Sequence, residues 1–252
     1  EEEGIFLVSC AGGATATITL PVMQRIHKKD KQYGIHIRGL QGGHSGTEID
    51  KGLANASVVL GRVLAALQEK AQIQLICIQG GKKDNAIPRE AEAFFTSSER
   101  EETLRQTAEE IQGMIQSEYR ETEPQMEFVW SQEEGNCRVM SEEDTKKVIT
   151  LLRILPAGVQ KMSREIEGLV QTSLNLGVLE SKEDGVSFCF SVRSSVESEK
   201  QELLNRLELT AQTVGAFVVV EGAYPAWEYR EDSPVREAML RSYREQYGRE
   251  PV

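Results

Sequence analysis

The sequence predicts an α/β (α+β) fold built on ferredoxin-like split-βαβ units, and three observations carry that prediction. Strand-like and helical patterns follow one another as β-α-β-β-α-β between Tyr33 and Trp130, which is the order of the split-βαβ unit. A second, partial series, α-β-β-α-β, runs from Ser141 to Val220. The two series share a signature. Phe94-Phe95-Thr96-Ser97-Ser98-Glu99 and Ser191-Val192-Arg193-Ser194-Ser195-Val196 each end a strand, pass a Ser-Ser pair and enter a glutamate-rich helix. The two halves read as an internal duplication at low sequence identity.

Taken in order, Gly4 to Ser9 and Ala14 to Leu20 read as short strands joined through Ala11-Gly12-Gly13. His27 to Gln32 reads as a charged connector. An alternating strand, Tyr33 to Leu40, runs into Gly39-Leu40-Gln41-Gly42-Gly43-His44-Ser45-Gly46, where four glycines surround one histidine. Glycine at that density marks a tight turn or a close backbone approach. It leaves His44 little side-chain cover, so the imidazole can reach a ligand. The alternative is a plain turn in which Ser45 or Thr47 caps the next helix. That helix is expected over 49–70, with Leu53, Ala56, Val59, Leu60, Val63, Leu64 and Leu67 as one apolar stripe.

Strand Ile73 to Gln79, a turn at Gly80 to Asp84 and strand Pro88 to Thr96 come next. Ser97 or Ser98 is expected to cap a helix reaching about Tyr119, with acidic residues near its positive end. Met126 to Trp130 reads as a strand and Ser131 to Arg138 as a polar loop. Ser141 opens a helix that Pro156 stops. Strands Leu169 to Leu179 and Val186 to Val192, helix 197–214 and strand Phe217 to Val220 complete the second series. In the last helix, 233–247, Ser233 caps, Pro234 takes the first position and Gly248 closes.

The bulk numbers exclude several classes. A chain of 252 residues holds one large domain or two ordinary ones. A net charge of −11 argues against nucleic acid or an anionic membrane as partner, since both need a basic footprint. No run approaches the roughly 20 apolar residues of a membrane span. Three glutamates open the chain in place of a secretory signal, and Glu1-Glu2-Glu3 reads as a solvated terminus. Without an initiating methionine the start is odd for a complete protein, and the chain stops at Pro251-Val252 without a natural ending. The four cysteines show no CxxC pairing, and Cys77 and Cys189 read as buried thiols, so a reducing, cytoplasmic setting is expected. Of three histidines, His27 reads as solvated and His36 as packed or hydrogen-bonded in its strand. With no HxD and no HExxH, no metal site is expected within this chain.

Further motifs lie far apart but in order. They are Glu1-Glu2-Glu3-Gly4, Cys10-Ala11-Gly12-Gly13, Gly43-His44-Ser45-Gly46 before Gly52-Leu53-Ala54-Asn55-Ala56, and Asp84-Asn85-Ala86-Ile87-Pro88-Arg89. Then come Thr172-Ser173-Leu174-Asn175-Leu176-Gly177-Val178, Val192-Arg193-Ser194-Ser195-Val196 and Tyr224-Pro225-Ala226-Trp227. Together they resemble the M20 metallopeptidases, and within them the aminoacyl-histidine dipeptidase branch. The resemblance implies a two-domain enzyme with two Zn²⁺ ions in its catalytic domain, hydrolysing dipeptides of the Xaa-His kind or more broadly. Its metal ligands lie outside this chain: the first upstream, one just before Glu1, the last soon after Val252. The fragment alone is then expected to be inactive.

The same resemblance divides the chain into closing strands of the catalytic domain (1–32), a first lid repeat (33–134), a second lid repeat (135–223) and a return segment with its helix (224–252). It assigns His44 to the substrate carbonyl and its oxyanion, a role whose loss typically costs on the order of 10²–10³ in rate. Asn85 is assigned to the peptide's carboxylate end and Arg193 to a bidentate carboxylate clamp. Asn175 is a further substrate-binding candidate. Read from residue type alone, Asn85 is equally a turn residue and Arg193 a surface arginine. In dimeric relatives the arginine comes from the neighbouring lid. Because Arg193 lies in the second repeat, that repeat is expected to stand in for the partner; a homodimer remains open. The rival reading is a non-catalytic dimerisation or ligand-binding module of tandem ferredoxin-like units.

Overall fold

The computed structural model describes residues 4–22 and 25–251; Glu1-Glu2-Glu3, and with them the solvated-terminus reading, lie outside the described residues. In chain order the elements are β1 (Gly12–Pro21), β2 (Arg25–Arg38), β3 (Gly43–His44), α1 (Ala56–Lys70), β4 (Ile73–Gly80), β5 (Ala86–Ile87), β6 (Ala91–Ser97) and α2 (Glu101–Glu118). They continue as β7 (Glu127–Met140), α3 (Glu142–Ile154), β8 (Gly158–Met162), β9 (Val170–Ser181), β10 (Gly185–Ser194), α4 (Glu197–Gln212), β11 (Phe217–Tyr224) and α5 (Pro234–Tyr247).

One large antiparallel sheet carries the strand order β11-β1-β10-β9-β4-β6-β2-β7, with β8 on β9, while β3 and β5 pair separately. Each half of that order is a split-βαβ unit. In β4-β6-β2-β7 the first strand, β2, sits between the third and the fourth. In β11-β1-β10-β9 the same central place is taken by β1, between β10 and β11. The second unit thus draws its first strand from residues 12–21, and the whole first unit is inserted between that strand and α3. This supplies the strand missing from the α-β-β-α-β series. β1 fits there because Ala14, Ala16, Ile18 and Leu20 alternate into the core, as a strand covered on one face requires.

Several expected boundaries are corrected. The connector at 27–32 and the polar loop at 131–138 are both strand. β2 and β7 pair without a break from Arg25↔Met140 to Arg38↔Glu127. A ladder is held by backbone groups, so an exposed edge ribbon can be polar throughout. Residues 32/33 and 134/135 therefore fall inside strands. Gly4 to Ser9 forms no strand; only Cys10 pairs, with Trp227, through two N–H···O bonds of 2.9 Å. α1 begins at Ala56 rather than at 49, because Gly52 turns the chain at φ 69° and the Asn55 side chain accepts from Ser57 N and Val58 N. α2 begins at Glu101 with no side-chain cap, since the Ser97 hydroxyl accepts from Glu99 N instead. β8 was not legible as a strand. α3 and α5 begin and end as expected, with Ser141 and Ser233 capping and Gly248 at φ 63°.

The helices touch in the order α2–α1–α3–α4, so α1 of the first unit packs on α3 of the second. One core runs through both units and includes Leu60, Leu64, Phe95, Leu151, Phe188 and Leu207. Burying each such side chain contributes about 1.5–3 kcal/mol. The consequence for the site is rigidity: loops of one unit are held in register over strands of the other. Cys77 and Cys189 are half-buried rather than buried, and all four cysteines are free. Burial pushes the Cys189 thiol up, against an opposing hydrogen bond with Thr17. His27 is exposed, and His36 stands 3.8 Å from the Glu90 carboxylate. Among the described residues no helix is long and apolar enough to cross a membrane.

Candidate functional site

The glycine turn is shaped by two of its glycines: Gly39 and Gly42 adopt φ of 79° and 62°, a region that other residues enter at a cost. Residues 43 and 44 then pair with the loop after β4, Gly43 with Ile87 and His44 with Ala86. Ser45 N donates to Asn85 O at 2.9 Å. A buried carboxylate anchors the turn from below. Glu123, 3% exposed, accepts from Gln41 N at 2.7 Å and from Ala54 N at 2.9 Å. Nothing in the sequence singled out Glu123, because its partners are backbone amides distant in the chain.

His44 is oriented by its own loop. Its Nδ1 accepts from Gly46 N and Thr47 N, each at 3.2 Å. An Nδ1 that accepts two amide protons leaves the ring proton on Nε2 in the neutral form, a tautomer assigned from its partners. Among the described residues no group pairs with Nε2, so this N–H is a free donor. The Glu48 carboxylate accepts from His44 N at 2.8 Å and from Lys51 Nζ at 2.8 Å. The Lys51 hydrogen bond, then the His44 amide, hold the Glu48 carboxyl below its ordinary range.

Arg193 arrives from β10 of the second unit. A Cβ built on Gly46 would lie 3.0 Å from His44 Cε1 and 3.4 Å from Arg193 Cζ. The imidazole and the guanidinium therefore crowd the same small residue. Arg193 Nη1 donates to Tyr224 Oη at 3.5 Å, and its buried Nε has no partner. No described carboxylate forms an ion pair with it. Holding a half-buried guanidinium with one weak hydrogen bond and no ion pair is costly.

Asn85 joins the same region on the loop that pairs with His44; its side chain is exposed and unpaired among the described residues. Asn175 does not present itself as a ligand. It is 2% exposed, and its amide is consumed internally: Nδ2 donates to Asp84 O at 3.1 Å and Ala86 O at 2.8 Å, and Oδ1 accepts from Asn55 at 3.1 Å. Among the described residues no group of three or more His, Cys, Asp or Glu is placed to hold a metal ion.

Residues 35–123 match the family described as Peptidase dimerisation domain, of the M20 type. Over this stretch the chain is similar to the M20 peptidase dimerisation domain. Two relatives extend the similarity beyond that domain. The cytosol non-specific dipeptidase of Escherichia coli (strain K12) is 31% identical, over 100% of this chain and 52% of the relative. The crystal structure of aminoacylhistidine dipeptidase from Vibrio alginolyticus matches with a TM-score of 0.89 at 31% identity, again over 100% of this chain and 52% of that one. The chain thus spans about half the length of these relatives. The resemblance carried by the motifs, and the α/β fold expected from it, are borne out. The match at 35–123 covers most of the first unit, including the turn with His44 and the loop with Asn85, and stops short of Arg193.

Proposed function

We propose that this chain is the substrate-binding lid of a metal-dependent dipeptidase. The observation that carries the reading is the convergence of His44 and Arg193, from different units, on Gly46. The Nε2–H of His44 is aimed at the charge that develops on the scissile carbonyl, where a preorganised donor acts on the transition state. Arg193 receives the free carboxylate of the dipeptide as a bidentate fork, and the exposed Asn85 amide donates to the same end. The two Zn²⁺ ions expected of such an enzyme would be held by residues outside this chain, which spans about half the length of its relatives, in a protein expected to be cytoplasmic like the Escherichia coli relative. The second unit supplies Arg193 in place of a partner lid.

The second reading is a non-catalytic dimerisation or ligand-binding module. It is favoured by the edge strand β11, where Phe217, Val219 and Val220 are exposed. The two readings part on one experiment, run on the full-length protein with zinc added. Hydrolysis of dipeptides is measured for the wild type, His44→Ala and Arg193→Ala, beside the matching dipeptide amides. The lid reading expects His44→Ala to lose turnover and Arg193→Ala to raise KM for free dipeptides only. Unchanged activity in both variants would leave the module reading standing.

A further inference from the structure

The first unit's loop between β4 and β6 does not stand free; it rests on β9 of the second unit, and the contact brackets Asn85. Asn175 Nδ2 donates to the carbonyls on both sides of Asn85, those of Asp84 and Ala86. Asn175 is in turn fixed by Asn55, whose Nδ2 donates to Asn175 Oδ1 at 3.1 Å and to Leu176 O at 2.9 Å. Asn55 is also the cap of α1, so one amide relay ties a helix start, a central strand and the loop together. A second feature marks the same seat. At Gly177, where the β9–β10 register shifts, an added Cβ would lie 2.3 Å from Asp84 O and 2.5 Å from Asp84 Cα. The loop backbone therefore lies directly on the β9 backbone. From β1, Thr15 Oγ1 donates to Asp84 Oδ2 at 3.0 Å.

We propose that Asn175, held by Asn55, is a positioning residue that sets the Asn85 side chain by fixing the carbonyls on either side of it. This rests on the lid reading above, and it replaces a direct substrate contact for Asn175 with an indirect one. An amide suits the task because its two N–H bonds fork over two carbonyls spaced by one residue, while its oxygen accepts from the next amide. Aspartate would place negative oxygen against both carbonyls. Displacing a catalytic constellation by about an ångström can cost on the order of 10² in rate.

The test is a double-mutant cycle on dipeptide hydrolysis by the full-length protein. Asn175→Ala is expected to lower kcat/KM about 10- to 100-fold. In an Asn85→Ala background the same change is expected to cost less than about threefold, since the group it positions is already gone. A merely structural role would lower the melting temperature but give the same factor in both backgrounds, and that outcome overturns the proposal. Wild-type activity in Asn85→Ala overturns the role of Asn85 and this inference with it. Impaired Asn85→Ala with independent, multiplying losses overturns the inference alone. If Asn175→Ala does not fold, Asn175→Ser, which keeps one donor, is carried through the same cycle.

Discussion

The Cε1 of His44 and the Cζ of Arg193 both lie against Gly46, at 3.0 Å and 3.4 Å from where its Cβ would stand. His44 belongs to the crossover between β2 and α1, and Arg193 to the end of β10, so 149 positions of chain separate two groups that share one neighbour. The relationship places an imidazole beside a guanidinium that, among the described residues, forms no ion pair; the proposed lid role rests on it.

Gly46→Ala tests that shared contact. A methyl group there forces the imidazole or the guanidinium to shift by several tenths of an ångström. Dipeptide turnover is expected to fall about 10-fold or more, while the melting temperature of the variant stays within a few degrees of the wild type.

Arg193→Lys keeps the charge and removes the fork. A lysine ammonium is a point charge with stronger hydration. KM for free dipeptides is expected to rise about 10-fold, kcat to change little, and dipeptide amides to be processed as before. Equal kinetics for both residues would remove the bidentate role.

Glu123→Ala strips the acceptor from two buried or part-buried amides, Gln41 N and Ala54 N. The expected loss is about 1–3 kcal/mol for each donor left bare. Hydrogen exchange should accelerate at Gln41 and Ala54 before it does in the sheet, because the turn opens locally.

Glu199 predicts a pH dependence. Burial raises its pKa, yet hydrogen bonds from Gln171 and Thr172 and the ion pair with Lys161 outweigh that and hold it below the ordinary value of 4.5. A depressed carboxyl contributes stability that is present above the unfolded value and lost as pH falls through the folded one. Glu199→Gln should therefore be less stable than the wild type at pH 7, by about 1–3 kcal/mol. The gap should narrow as the pH drops below 4.5; a constant gap in urea titrations across pH would contradict the assignment.

Much of the architecture was readable because it depends on local pattern. The apolar stripe of α1, the capping residues Ser141 and Ser233 and the Ser-Ser signatures at Ser97 and Ser194 all act within a few residues. Where pattern is silent, expectation failed. β2 and β7 extend as a polar ribbon that no apolar alternation marks, and Asn55, not Ser45 or Thr47, caps α1. Glu123 and Asn175 could be valued only once the amides and carbonyls they serve were in place.

The sequence by itself determined most of the element order, the two split-βαβ series and the M20 resemblance, along with the residue types at His44, Asn85 and Arg193. These rest on periodicity, turn chemistry and motif spacing. Only the tertiary structure decided that β1 completes the second unit, that Arg193 stands beside His44, and that Asn175 faces inward. The physical reason is that strand pairing and buried hydrogen bonds join groups distant in the chain. Their partners are selected by the packing of one shared core, which no short stretch of sequence encodes.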